Sequence, residues 1–131
     1  MAITTAGIAL ASGDLTDNTL SLNNSKTLYK AGTSLGLEKI QSGTRTYTAT
    51  GAVELLDESV VTTDAANKVY IKNLSETATE YFEVAIHSEV IGRLYAGDWL
   101  WMPWSAGSSN NITVNPSVAT TMKLEYIVIH E

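Results

Sequence analysis

Cysteine is absent from the chain, which removes thiol catalysis, cysteinyl metal sites and disulfide bonds together and leaves the redox compartment open. Positive charge is scarce. Lys and Arg number 8 against 14 Asp and Glu, a formal charge of −6, and charged residues make up only 17% of the chain. A protein that tracks phosphates needs a concentrated basic face, so nucleic acid is not expected as a partner. No segment approaches the ~18 consecutive uncharged apolar residues of a membrane span. The opening Met1–Thr5 has neither the basic start nor the apolar run of a signal peptide. A soluble chain with no export signal of its own and no membrane partner is the expectation.

What is present points to strands. The 131 residues match one ordinary domain, and 44% hydrophobic residues suffice for a core. Seventeen Thr and twelve Ser stand beside two Pro and a single Phe. Thr is stiff at χ1 and fits a pleated, half-buried surface better than a helix. Short apolar runs separated by turn formers recur at even spacing, the pattern of a sandwich or barrel.

Leu20 and Leu22 alternate with Thr19 and Ser21, after which Asn23, Asn24 and Ser25 predict a turn before a strand over 27–30. Leu35–Ile40 and Arg45–Thr50 read as further strands. At Val53–Leu56 a helix is the alternative to a strand, because Val53, Leu56 and Val60 fall at helical spacing, although the β-prone Val60–Thr63 follows at once. Val69–Lys72 and Tyr81–His87 alternate cleanly, the second with Phe82, Val84 and Ile86 on one face. Strands are also expected over Val90–Tyr95, Trp99–Met102, Ile112–Val114 and Met122–His130. Together they predict an all-β, jelly-roll-like β-sandwich over residues 13–131, preceded by an extended arm over residues 1–12, which are small, uncharged and weakly patterned. Its expected core comprises Val69, Ile71, Phe82, Val84, Ile86, Leu124, Tyr126 and Val128.

Chemistry is sparse. His87 and His130 stand in no metal-ligand spacing, and no nucleophile elbow occurs, so neither catalytic, cofactor nor metal residues are assigned. Asp14 and Asp17 lack the glycine and terminal glutamate of a calcium loop and read as a solvated turn. Asn23, Asn73 and Asn111 head N-x-[ST] triplets, which mean little without a secretory leader. The aromatic run Trp99–Trp104 is the most informative. Trp99 and Trp101 project to one face of a strand, where they could stack on sugars or anchor a protein interface. Because Leu100 and Met102 make the other face apolar too, core or subunit interface is preferred to a sugar platform. Ile127 and Ile129 likewise give the last strand a second apolar face.

Over Lys68–Ser75 (KVYIKNLS), Ile91–Trp104 (IGRLYAGDWLWMPW) and Asn115–Glu131 (NPSVATTMKLEYIVIHE) the chain resembles small structural proteins of tailed bacteriophages. The likeness is good from residue 68 onward and loose before it. It implies a non-enzymatic capsid decoration, or cement, protein that is made in the host cytoplasm, binds the outer face of the major capsid protein on the virion surface and stabilises the head. It also implies an oligomer, a trimer being favoured. Met1, Ala2, Ile3, Thr4, Thr5 and Ile8 of the arm are the expected capsid contacts, with Trp99, Trp101, Trp104, Ile127 and Ile129 the expected subunit interface. The alternatives are a tail, fibre or receptor-binding component and a carbohydrate-binding module.

Overall fold

The computed structural model describes residues 3–15, 17–107 and 109–131; Met1 and Ala2, two of the expected capsid contacts, lie outside them. The chain forms two compact units, Met1–Glu38 and Lys39–Glu131. Of the stretch read as an extended arm, Thr5–Ser12 is strand β1, and the unit containing it runs on to Glu38.

In the first unit β1 pairs antiparallel with β2 (Leu20–Thr27), from Thr5 opposite Thr27 to Ser12 opposite Leu20. The turn expected at Asn23–Ser25 does not form. Those residues sit mid-strand, opposite Ala9, Ile8 and Gly7, because continuous pairing along β1 outweighs their local turn preference. The strand expected over Leu35–Ile40 is also displaced: residues 35–38 hold only a bridge from Gly36 to Tyr29, and β3 begins at Lys39.

The second unit is a sandwich of two antiparallel four-stranded sheets. One has the order β3 (Lys39–Tyr47), β10 (Met122–His130), β5 (Lys68–Asn73), β8 (Trp99–Pro103). The other runs β4 (Val53–Leu56), β9 (Ile112–Pro116), β6 (Tyr81–Ile86), β7 (Glu89–Tyr95). Partners nest: β3 with β10, β4 with β9, β5 with β8, β6 with β7. That nesting is the double Greek key of a jelly roll. Val53–Leu56 is thus a strand and not a helix; a register shift between Glu54 and Leu56 lets both Leu55 and Leu56 be buried.

Alternation positions the core. Val69 and Ile71 of β5 and Leu124 and Val128 of β10 are fully buried in the same cluster as Phe82 and Val84 of β6 and Ile112 and Val114 of β9. Ile86 and Tyr126 pack at its margin, only partly buried. The Tyr126 ring also explains a glycine inside a strand: a Cβ at Gly43, its neighbour on β3, would lie 3.1 Å from ring atoms. Burial keeps the nearby Tyr47 phenol protonated above its ordinary range.

His87 is not the last residue of β6 but the first of a two-residue turn, and His87 and Ser88 both have positive φ, 51° and 65°. Two successive left-handed residues are the type I′ turn that matches the twist of the flanking strands, although neither is the glycine or asparagine that enters this region cheaply. Ser88→Gly is therefore expected to stabilise the unit by about 0.5–1 kcal/mol, measured by urea denaturation. No gain would mean that Ser88 contributes a compensating contact.

Candidate functional site

Residues paired directly across an antiparallel ladder point to the same face, so the register alone defines the outer surface of the β3-β10-β5-β8 sheet. Three rows cross it. They run Ile40, Ile129, Lys68, Pro103; then Ser42, Ile127, Tyr70, Trp101; then Thr44, Glu125, Lys72, Trp99. The result is an apolar band from Ile40 at one edge to the indoles at the other, with Lys68, Lys72 and Glu125 set into it. Ile40 is 64% exposed, Trp99 52% and Trp101 37%. Tyr70 lies beside Trp99, ring centroids 6.3 Å apart. Desolvation, and after it the Glu125 carboxylate, raises the Tyr70 phenol above its ordinary value, so the band carries no tyrosinate at neutral pH.

The other outer face is mixed in character. Glu83 and Arg93 pair across β6 and β7 at 3.3 Å, and the Arg93 guanidinium lies 4.5 Å from the centre of the Tyr81 ring. Thr113 and Glu83's neighbour Asn115 continue that surface in polar residues. The charges pair at its centre, while Tyr95 and Val90, in the rows on either side, are 42% and 56% exposed.

The topology thus brings Trp99, Trp101, Ile127 and Ile129 onto one surface, linked by Tyr70 and flanked by Ile40, neither of which was among the expected residues. Trp104 does not join them. It is 2% exposed and belongs to the core cluster. The strand ends at Pro103, and the next residue turns inward, its backbone N–H donating to the Asn67 carbonyl at 3.0 Å and its indole N–H to the Asn110 carbonyl at 2.8 Å. The expectation of an interface role for Trp104 is therefore corrected: it is a core residue.

A second apolar surface lies on the hairpin of the first unit. Ile8, Leu10, Leu20 and Leu22 share one side of β1–β2 with Ala6, Ser12, Asn24 and Lys26, and all four are substantially exposed. The other side carries only Thr5, Gly7, Ala9, Ala11 and their polar partners. A lone two-stranded sheet buries too little to be stable, so a sided hairpin of this kind gains from cover. Of the remaining expected capsid contacts, Ile3 is exposed, Thr4 accepts a hydrogen bond from the Leu28 N–H at 2.8 Å, and Thr5 opens β1. Leu10, Leu20 and Leu22 were missed, although the alternation of the last two is plain in the sequence.

The polar candidates have local partners. His87 Nδ1 lies 3.0 Å from the Ser109 carbonyl, His130 is buried with its Nδ1 3.1 Å from the Glu131 carbonyl, and the Asp14 carboxylate accepts from the Ser12 hydroxyl at 3.1 Å. Asn73 is fully buried and donates to the Leu94 carbonyl at 2.9 Å, a position closed to glycosylation. Among the described residues no group of three His, Cys, Asp or Glu could hold a metal ion. No protein-family model, curated protein or solved structure matches the chain.

Proposed function

We propose that this chain is a non-enzymatic virion component, a capsid decoration protein that binds the outer face of the major capsid protein and stiffens the head. The observation that carries the reading is the continuous apolar band across the β3-β10-β5-β8 sheet, in which Ile40, Trp99 and Trp101 are exposed and Ile127, Ile129 and Tyr70 half-buried between them. A small domain keeps such a band for contact with protein. On this reading the band joins copies of the chain, three about a common axis, and the Ile8, Leu10, Leu20, Leu22 side of the hairpin seats on the shell. Many modest contacts repeated over a closed shell add through effective concentration, so no single interface has to be strong. The jelly roll itself occurs in capsid proteins and in lectins, and architecture alone does not choose between them.

A second reading rests on the indoles. Trp99 and Trp101 stand two residues apart on the same side of the outermost strand, where they could stack on the rings of a sugar chain. The deciding experiment mixes purified protein with phage heads that lack it, with isolated tails and with immobilised glycans, and follows co-sedimentation or retention. Saturable binding to heads, with a rise in the temperature at which they release their genome, is expected. Binding to tails or glycans but not heads would end the decoration reading.

A further inference from the structure

Sheets in monomers end in strands that resist further pairing, by being short, bulged or interrupted by proline. Three of the four edges of the sandwich follow this rule. Strand β4 has four residues and a register shift, β7 carries Ile91 as an extra residue between Val90 and Gly92, and β8 stops after five residues at Pro103. The fourth edge does not. Strand β3 runs nine residues, pairs with β10 without a shift from Lys39 to Tyr47, contains no proline and is exposed over most of its length.

We propose that the free edge of β3 pairs antiparallel with the same strand of a second copy of this chain, joining two β3-β10-β5-β8 sheets into one eight-stranded sheet across a two-fold axis at Gly43. The strand is its own complement in that register. Lys39 faces the partner's Tyr47, Ile40 the partner's Thr46, Gln41 the partner's Arg45 and Ser42 the partner's Thr44, so no like charges stand directly opposite. All nine residues pair only when the axis passes through Gly43. A slip of one residue would turn one sheet over, placing its apolar band on the opposite side from its neighbour's; the centred register keeps both bands on the same side. Gly43 at the axis has no side chain to obstruct the approach. The contact is isologous and uses an edge, not the outer face, so it is available whether or not the chain belongs to a shell.

The test uses the full chain at micromolar concentration in sedimentation velocity and light scattering. The expected species contains an even number of copies, the smallest being twice the 14.1 kDa of one chain. Ser42→Lys with Thr44→Lys keeps a favourable partner for position 44 in Glu125 of its own sheet, sets two ammonium groups against two others across the axis and is expected to halve the mass of the assembly. Ser42→Glu with Thr44→Lys turns the same positions into opposite-charge pairs and is expected to restore it. Both residues are exposed, and unchanged far-ultraviolet circular dichroism will show that the sandwich is intact. Independently of any substitution, hydrogen exchange of β3 amides in the unaltered chain should slow as concentration rises. A lone chain, an odd number of copies, an undiminished mass for the Lys-Lys variant or no recovery with the Glu-Lys variant would overturn the pairing.

Discussion

Trp104→Ala is expected to lower the stability of the Lys39–Glu131 unit by about 3–5 kcal/mol, the range for truncating a fully buried aromatic side chain. Trp104 is among the largest fully buried side chains, in one cluster with Val61, Ala106 and Met122 among others, and its loss leaves a cavity that close-packed strands cannot collapse to fill. The indole N–H also holds the Asn110 carbonyl at 2.8 Å, and the Asn110 side-chain amide in turn donates to the Ser105 carbonyl at 2.9 Å, so Asn110 and Ser105 lose an anchor. Domains are stable by only about 5–15 kcal/mol, which makes this a large fraction of the whole. For a unit of this size the melting temperature should fall by well over 10 °C, roughly 4–8 °C per kcal/mol. Trp104→Phe should recover part of the loss, because it refills much of the volume without restoring the N–H donor. If Trp104→Ala left the melting curve of the separated chain unchanged and only weakened association, the indole would act between copies and its place in the core would be wrong.

How far a sequence discloses such an arrangement depends on whether the information is local. Strand β6 is legible because Phe82, Val84 and Ile86 repeat every second residue and one face is buried, which is all that a period of two can report. The jelly-roll class follows from many such runs at even spacing. The Asn23–Ser25 segment misleads because its turn chemistry is real, yet eight consecutive pairs with β1 hold it extended. Trp104 misleads for the complementary reason. Its neighbours Trp99 and Trp101 follow strand alternation outward, but Pro103 ends the strand, and alternation carries no information beyond that point. Tyr70 and Ile40 were invisible as members of the band, because their company with Trp101 and Ile129 exists only after β10 inserts between β3 and β5. Those pairings join residues tens of positions apart, and no window along the chain contains them.

The band itself supplies the largest functional effect. Replacing Trp101 and Ile127 together by Glu is expected to abolish the joining of copies through the band while leaving the fold intact. Both side chains lie on the outer face, on either side of Tyr70 in one row of the register, Trp101 exposed and Ile127 half-buried, and neither belongs to the core cluster. In an interface they would be desolvated without a counter-charge. Truncating one well-packed tryptophan near the centre of an interface commonly costs 2 kcal/mol or more, about thirty-fold in affinity, and burying unpaired carboxylates adds to that. Trp101→Ala alone should therefore weaken the joining of copies through the band by roughly thirty-fold or more, and the double Glu variant should show none at concentrations where the parent is fully assembled. The matched control is on the other face. Glu83→Ala with Arg93→Ala removes a salt bridge whose partners stay in water, worth about 1 kcal/mol or less, and should leave binding unchanged. Equal binding by the parent and the double Glu variant, with loss on removing Glu83 and Arg93, would place the contact on the other face and defeat the argument from the apolar band.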